Sequence, residues 1–293
     1  MSDLHKSVNG SVLRIGACGI TFERTLRVPE SGGPYPLPPT FGSFPLITLQ
    51  RRPLRLGLPM HRSEAMWMAF DCGPRPCAIL VGTGGINALS GEPWEDRLRH
   101  EPQNYLVCPD QPWLDGFKTA HGTVRQFVAM PLGQGYTVGE QLSRTASREL
   151  HVVVYEARPG TTGPRSARPV TPAQPLGLAA GGKIRQKVYP DPYPKGAWDP
   201  ERKGTATVVL LTAAEYREQT GREPPLSPID AQTYARHGFP WFELYDADRG
   251  DLPGSAAFDR VKGIESGGRP LDISPADVKQ IRRRPRKKAG RKK

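Results

Sequence analysis

Proline and glycine interrupt this chain so often that few stretches are long enough to form an extended helix. Its 293 residues include 32 prolines and 32 glycines, which exceeds the average usage of both residue types. Proline removes a backbone donor and glycine loses the most conformational freedom on folding, so both favour turns over helix interiors. We therefore expect short strands and many loops, in one large domain or two ordinary ones.

Residues 1–157 contain short apolar runs that are separated by turn signals. The runs predicted as strands are 22–28, 46–49, 66–70, 77–81, 105–108, 124–130 and 151–155. Turn signals rich in glycine and proline, such as 72–74 and 132–135, flank these runs. Short strands punctuated in this way are typical of a β-sandwich or a barrel-like sheet. The sequence therefore predicts a β-rich domain over residues 1–157.

The segment 158–182 has a composition that cannot bury much surface. It is built largely from proline, glycine, alanine and threonine, and it contains no acidic and no aromatic residue. A linker between two domains has this composition. A long loop that crosses the surface of one domain has the same composition, and both interpretations stay open.

Residues 183–273 show a smaller α+β pattern. Apolar runs at 184–189 and 206–211 predict strands. The motif from Thr212 to Glu215 fits a capping box and Gly221 suits a helix end, so a helix is predicted between them. Its expected bounds are 213–220.

Two serine–proline pairs repeat the start signal of a helix, because proline is favoured at the first helical position. The pair at 227–228 predicts a helix that ends at Gly238. The pair at 274–275 predicts a short helix that runs to Arg282 before Pro285 stops it. The region 183–273 is therefore predicted to be a small α+β unit, and a further helix start opens the region 274–293.

The net charge of +12 is concentrated at the end of the chain. Residues 279–293 carry ten basic residues and no acid, and these are Lys279, Arg282, Arg283, Arg284, Arg286, Lys287, Lys288, Arg291, Lys292 and Lys293. Without these ten charges, residues 1–278 retain a net charge of only +2. The predicted class is thus α+β: a β-rich, sandwich or barrel-like N-terminal part, a smaller α+β part and a disordered basic tail.

A basic segment of this kind is expected to bind polyanions. Lysine and arginine displace condensed counterions from phosphates, which gives affinity that depends on salt but not on base sequence. The segment has no aromatic residue, so contact with the phosphate backbone is expected rather than base stacking. Nucleic acid, DNA or RNA, is favoured over a membrane surface, because no acyl motif or apolar amphipathic face supplies a second anchor. A solubility tail or a sorting signal is the alternative interpretation.

Three of the five tryptophans lie in a Pro-Trp-x-acid pattern, at 93–96, 112–115 and 240–243. Proline fixes the entry angle of the chain, and the indole supplies a large apolar face. The structural interpretation is that these indoles are buried. The functional interpretation is a ligand cleft for a sugar or nucleotide, lined by Asn87, Trp94, Gln111, Trp113, Asp115, Arg125 and Gln126, because loops between strands often carry sites. Under the second interpretation the protein is an enzyme, although no motif assigns a catalytic residue.

The cysteine and glycine motifs predict neither a metal nor a cofactor. Cys72 and Cys77 are separated by four residues, but no second cysteine pair or close histidine pair completes a zinc ligand set. The glycine-rich turn at 82–85 follows an apolar run, but Gly91 and Pro93 interrupt the helix that a dinucleotide site needs. A tight hairpin is the favoured interpretation of this turn.

Cysteine usage and hydropathy predict a cytoplasmic location. Four cysteines are too sparse for a small secreted domain held by disulfides, so reduced thiols are expected. The N-terminal stretch has no signal-peptide pattern, and no run approaches the roughly 18 apolar residues of a membrane span.

Several segments resemble a family of uncharacterised bacterial proteins. They are 66–70, 85–94, 124–133 and 224–245, and they fall within about 60–264. The resemblance implies a bacterial cytosolic protein, and it carries no activity and no catalytic residue to this chain. The charge distribution favours a non-enzymatic binding or accessory protein whose body binds a protein partner and whose tail binds nucleic acid or another polyanion. A self-assembling component that packages nucleic acid is also compatible with the tail.

Overall fold

The chain forms a strand-rich fold with few helices. The computed structural model describes residues 3–119, 122–161, 176–226, 228, 230–245, 250–264, 270–273 and 275–282. The strands in chain order are β1 (Lys6–Asn9), β2 (Val12–Ile15), β3 (Cys18–Thr25), β4 (Ile47–Arg51), β5 (Leu54–Pro59), β6 (Ala65–Asp71), β7 (Cys77–Thr83), β8 (Ile86–Asn87), β9 (Leu106–Cys108), β10 (Trp113–Leu114), β11 (Gly116–Lys118), β12 (Val124–Pro131), β13 (Glu149–Ala157), β14 (Leu176–Ile184), β15 (Trp198–Leu211), β16 (Trp241–Tyr245) and β17 (Val278–Arg282). The α-helices are α1 (Ala213–Thr220), α2 (Ala231–Arg236) and α3 (Ala256–Arg260); Gly139–Ser143 form a π-helical turn and Pro275–Asp277 a 3₁₀ turn. Within these residues, no helix is both long and apolar enough to cross a bilayer.

Two large sheets and one small sheet contain these strands. The first sheet has the order β1-β2-β3-β6-β12-β11, with β10 also paired to β6 and β14 to β12. The second has the order β4-β5-β15-β13-β7-β8, with β9 also paired to β7. Pairing is antiparallel throughout the first sheet, whereas β5 and β15 of the second run parallel. The third sheet holds β16 and β17, which are also parallel.

The main core lies between the two large sheets. Alternate residues of β6 in the first sheet, Met66, Met68 and Phe70, share one buried cluster with Val81 and Val152 of the second sheet. Successive side chains of a strand point to opposite faces, so this alternation means that one face of each sheet turns toward the other. The predicted β-rich α+β class is confirmed at this level. Each of the seven strands predicted within residues 1–157 overlaps an observed strand.

The strands on either side of residues 162–175 belong to the same two sheets. β14 pairs with β12 in the first sheet, and β15 lies between β5 and β13 in the second. The strands that flank 162–175 therefore belong to two sheets that share one core, and both interpretations of 158–182, linker and surface loop, stay predictions. Two boundaries are corrected: residues 176–182 are part of a strand, and the strand predicted over 184–189 ends at Ile184.

Close packing explains the glycine and alanine residues of β14, whose composition had suggested a linker. A Cβ on Gly182 would lie 2.2 Å from the Pro29 carbonyl oxygen, and one on Gly181 would lie 2.5 Å from a Val128 methyl carbon. Ala179 and Ala180 are completely buried. Small residues are therefore needed here because other segments approach this strand closely on both faces.

The helix predictions had mixed outcomes. The helix over 213–220 is confirmed as α1, with the capping box between Thr212 and Glu215 and with Gly221 in the left-handed conformation. The helix predicted from 227 begins later, because Asp230 is the cap of α2 and its carboxylate accepts from the Thr233 amide at 2.8 Å. The short helix α3 was not predicted.

The helix predicted from Ser274 to Arg282 is wrong. The chain makes one 3₁₀ turn and then enters β17, where Val278 pairs with Trp241. Val278 packs against the buried cluster around Trp241 and Tyr234. Strand pairing and apolar contact with β16 thus outweigh the local helix-start signal.

Candidate functional site

The seven residues of the predicted cleft occupy both large sheets. Five of them are buried, and the indoles of Trp94 and Trp113 are half-buried. Asn87 and Trp94 lie at one end of the second sheet, near β7 and β8. The other residues lie on or beside β10, β11 and β12 of the first sheet. Their partners show what each side chain does.

Asn87 and Trp94 stabilise the chain around the β7–β8 hairpin, which agrees with the hairpin predicted at 82–85. The Asn87 amide donates to the Asn104 carbonyl at 2.8 Å, and its oxygen accepts from the amides of Leu89 (2.9 Å) and Ser90 (3.0 Å). The Trp94 indole stacks on His151, with ring centroids 5.6 Å apart. Trp94 also covers Gly82, where a Cβ would lie only 2.1 Å from an indole carbon.

Gln111 and Asp115 hold the segment that follows β14. Gln111 donates to the Trp113 carbonyl at 3.0 Å and accepts from the Tyr189 amide at 3.1 Å. Gln186 donates to Asp115 Oδ2 at 2.7 Å and accepts from the Asp115 amide at 3.0 Å. These side-chain hydrogen bonds replace a strand ladder, which explains why the apolar pattern at 184–189 does not continue as a strand.

Arg125 and Gln126 fix backbone groups of other segments. The Arg125 guanidinium donates to the carbonyls of Ala180 (2.9 Å), Gly181 (3.1 Å) and Phe258 (3.2 Å), and to the carbonyl of Val261. The Gln126 amide donates to the Leu26 carbonyl at 2.7 Å and accepts from the Val28 amide at 3.0 Å. Asp115 and Arg125 therefore have separate partners.

Asp115 is the buried acid of this set, and its pKa is shifted toward neutral pH. Its carboxyl is 2% exposed, and burial raises its pKa from the ordinary value of 3.8 to about 7, against a smaller lowering by the Trp113 side chain. Because the charged form is the one that burial disfavours, the folded protein binds this proton more tightly than the unfolded chain does.

We expect an Asp115→Asn variant to lose part of the pH dependence of unfolding. A folded-state pKa above the unfolded value means that stability falls as pH rises from about 4 to about 7. For wild type this group contributes a decrease of about 3 kcal/mol between pH 4.5 and 7.5. Urea unfolding across this range measures it, with Glu218→Gln, a change at an exposed acid, as the control. Parallel curves for wild type and Asp115→Asn would contradict the prediction.

The basic residues of the predicted tail begin in a paired strand. Lys279 lies in β17, is exposed, and donates to the Ala276 carbonyl at 3.2 Å. Arg282 is the last residue of β17. The expectation of a disordered basic tail is therefore corrected for 279–282, where the start signal at 274–275 had predicted a helix and the structure has a strand. The other eight basic residues lie outside the described residues.

A surface cavity of about 860 Å³ lies beside β1 and the β4–β5 turn, away from the seven predicted residues. Its lining residues are Asp3, Leu4, His5, Lys6, Ser7, Val8, Thr48, Arg51, Arg52, Pro53 and Leu54. Lys6 pairs with Asp3 at 2.6 Å, and Arg51 and Arg52 are exposed. The Arg-Arg-Pro turn at 51–53 is the sequence signal that marks its position.

Two ion pairs with one buried partner each are not apparent from the sequence. Arg24 Nε lies 3.7 Å from Glu64 Oε1, and burial raises the pKa of Glu64 to about 8 despite this pair. Lys118 Nζ lies 2.7 Å from Asp251 Oδ2, and burial lowers the pKa of this lysine. The partners are distant in sequence, so spacing gives no sign of them.

The four cysteines, Cys18, Cys72, Cys77 and Cys108, converge in the main core as free thiols. In the sequence only Cys72 and Cys77 lie close together, because Cys18 and Cys108 belong to strands that are distant along the chain. Among the residues that the structure describes, no three His, Cys, Asp or Glu side chains are arranged to hold a metal ion.

Comparison with known proteins finds no relative. No protein-family model, no curated protein and no solved structure matches the chain. The bacterial resemblance of the segments within 60–264 therefore stays a prediction. A functional proposal has to rest on the chemistry of the chain itself.

Proposed function

We propose that this is a non-enzymatic binding or accessory protein that its basic C-terminal segment holds on nucleic acid or another polyanion. The observation that carries the proposal is the location of the charge, since ten of the twelve net positive charges fall within 279–293. A body with a net charge of +2 has little electrostatic attraction for a phosphate backbone. Binding to a polyanion is then expected to depend on residues 279–293 and not on the body.

The connection between body and segment adds to this proposal. β17 pairs with β16, and Phe242 of β16 exchanges two backbone hydrogen bonds with Leu37, at 2.7 and 2.9 Å. Trp241 is 1% exposed and belongs to the buried cluster that also contains Tyr234 and Leu37. The eight basic residues after Arg282 thus follow a strand that is fixed to the body. Binding through them leaves the rest of the surface available for a protein partner.

A chain that ends at Arg282 is expected to lose binding to duplex DNA. This truncation removes eight basic residues, lowers the net charge from +12 to +4 and keeps β17 intact. If about six of the eight contact phosphates, the affinity of the full chain falls about 1,000-fold between 50 and 200 mM salt. Fluorescence anisotropy with labelled duplexes of two unrelated sequences, over a salt series, measures the affinity and its salt slope.

The matched control is the double variant Arg51→Gln/Arg52→Gln in the full chain. It removes two exposed positive charges beside the surface cavity, and it is expected to bind as wild type does. The proposal is wrong if the chain ending at Arg282 keeps the affinity and salt slope of the full chain. A large loss in the double variant would show instead that the body carries the binding.

The alternative, an enzyme that acts on a sugar or nucleotide, required Asp115 and Arg125 to meet in a pocket. In the structure Asp115 pairs with Gln186 and Arg125 binds backbone carbonyls. These contacts give the enzyme alternative no support, so the binding role is preferred.

A further inference from the structure

The surface cavity beside β1 lies where both large sheets have an open edge. β1 is the terminal strand of the first sheet, and β4 is the terminal strand of the second. Within the described residues, β1 pairs only with β2 and β4 pairs only with β5. The cavity of about 860 Å³ is lined by residues 3–8 on one side and by Thr48 and residues 51–54 on the other. Its two walls are therefore strand edges, one from each sheet.

The free edge of β4 carries backbone groups that can pair with a further strand. A strand that is paired on one side only directs its remaining N–H and C=O groups outward, where another chain can bind them. β4 spans the five residues Ile47–Arg51, which is about 17 Å of extended chain. The edge therefore fits an extended segment of about six residues.

The charge that the cavity offers to a ligand is positive. Lys6 Nζ lies 2.6 Å from Asp3 Oδ2, so these two charges offset each other. Arg51 and Arg52 are exposed, and neither guanidinium has an ion-pair or hydrogen-bond partner among the described residues. Arginine presents a planar fork of donors that matches a carboxylate. Two guanidinium groups at the cavity are thus available for acidic side chains of a ligand.

The cavity also has apolar lining residues that belong to the main core. Leu4 and Leu54 are each 8% exposed, and Val8 is half-buried and packs against the same cluster. Successive side chains of an extended segment point in opposite directions, so one set can contact these residues while the other set reaches the arginines. A free phosphate ion would use the charges and leave the apolar lining uncovered. The lining therefore favours a segment in which apolar and acidic residues alternate.

Protection against aggregation is the alternative role of these charges. Charged residues and bulges on an edge strand hinder pairing with other chains, and β4 has both, since its register shifts between Thr48 and Gln50. A second copy of this edge would add its own Arg51 and Arg52 to the cavity, and like charges across a strand pair are destabilising. A basic partner is disfavoured for the same reason. An acidic segment is the partner that the charges select.

We propose that this cavity binds an acidic, extended segment of a partner protein, which adds a strand to the free edge of β4. Backbone hydrogen bonds to β4 supply affinity, and the two arginines and the apolar lining select the side chains of the segment. The inference names what the body binds, and so it rests on the proposed binding function. Nucleic acid has no peptide groups to pair with a strand edge, so the cavity and the basic C-terminal segment serve different partners.

The probe is a fluorescein-labelled peptide of eight residues in which valine and glutamate alternate. Fluorescence anisotropy measures its binding to the full chain, and hydrogen–deuterium exchange of the full chain shows where it binds. We expect slower exchange within residues 46–54, because outward amides of β4 gain hydrogen-bond partners.

The control peptide has proline in place of the two central valines. It keeps the same negative charge, so its attraction to the basic C-terminal segment is unchanged, but proline lacks the backbone donor that strand pairing needs. We expect the control peptide to bind about 10-fold more weakly and to leave exchange within 46–54 unchanged. The difference between the two peptides therefore reports strand pairing and not general attraction between opposite charges.

The double variant Arg51→Glu/Arg52→Glu tests the charges at the cavity. It is expected to bind the valine–glutamate peptide about 10-fold more weakly than wild type, and to gain affinity for the corresponding valine–lysine peptide. The matched control, Arg62→Glu/Arg222→Glu, changes the net charge equally at two exposed arginines that do not line the cavity, and it is expected to bind as wild type does. Urea unfolding checks that both variants fold.

Three outcomes would each overturn this proposal. They are equal binding of the valine and proline peptides, unchanged exchange within 46–54 of the wild-type chain, and equal losses in the two double variants. The exchange measurement on wild type does not depend on any variant. If one of these outcomes occurred while the chain ending at Arg282 still lost duplex binding, the cavity proposal would be wrong and the proposed function of the C-terminal segment would stand.

Discussion

An Arg125→Met variant is expected to unfold about 3–5 kcal/mol more easily than wild type. Methionine retains much of the apolar bulk but donates no hydrogen bond, so the carbonyls of β14 and of the α3 region that the guanidinium binds lose a buried donor. Each acceptor left without a partner costs about 1–3 kcal/mol. Glu30, whose carboxylate lies 3.9 Å from the guanidinium, loses a nearby positive charge as well.

The matched control is Arg55→Met. Arg55 pairs with Glu149 at 2.6 Å, but both side chains are about one-third exposed, and pairs of this kind contribute about 0–1 kcal/mol. Urea unfolding of both variants, followed by tryptophan fluorescence, measures the difference in unfolding free energy. Equal losses in the two variants would mean that Arg125 acts as an ordinary surface charge. Arg125→Lys should recover only part of the loss, because a single ammonium cannot reproduce the planar fork of donors.

The strand pattern of the core was readable from sequence because it depends on local periodicity. Met66, Met68 and Phe70 face the main core, and the alternation of their side chains is a property of the strand itself. The capping box at Thr212 is local in the same way. The strands that escaped prediction are mostly short or polar, such as β1 and β10, and they exist because a neighbouring strand pairs with them.

Two errors show how tertiary contacts outweigh local signals. The start signal at 274–275 predicted a helix, but β16 offers backbone partners and an apolar cluster that a helix at this position would leave unused. The small residues at 176–182 were included in a segment interpreted as a linker or a surface loop, because its composition is that of a solvated segment. In the fold they are small because neighbouring segments come too close for larger side chains.

The candidate site was harder to predict for a different reason. Asp115 and Arg125 are polar residues beside strand ends, which is where ligand residues often lie. The sequence does not show that Gln186 and the carbonyls of β14 are already their partners. The position of the cysteines has the same origin, since Cys18 and Cys108 lie near Cys72 and Cys77 only through the pairing of strands that are distant in sequence.

A Gly116→Ala variant is expected to lose more than about 4 kcal/mol of unfolding free energy, in the range that single substitutions rarely reach. Gly116 pairs with Gln126 between β11 and β12, and a Cβ there would lie 1.9 Å from the Arg125 carbonyl oxygen and 2.5 Å from its carbon. These are backbone atoms, so no side-chain rotation relieves the overlap, and the strands that hold Asp115 and Arg125 have to separate.

Gly19→Ala supplies the control because it adds the same methyl group to a buried strand of the same sheet. A Cβ on Gly19 would have its nearest neighbours, in Arg14 and Asp71, at an ordinary 3.5 Å, so we expect a change within about 1 kcal/mol. Urea unfolding gives the free energy of unfolding of both variants. The difference between them measures the cost of the close approach, apart from the general effect of replacing glycine. If Gly116→Ala were as stable as Gly19→Ala, β11 and β12 could not be paired as described, and the arrangement of Asp115, Arg125 and Gln126 would be wrong with them.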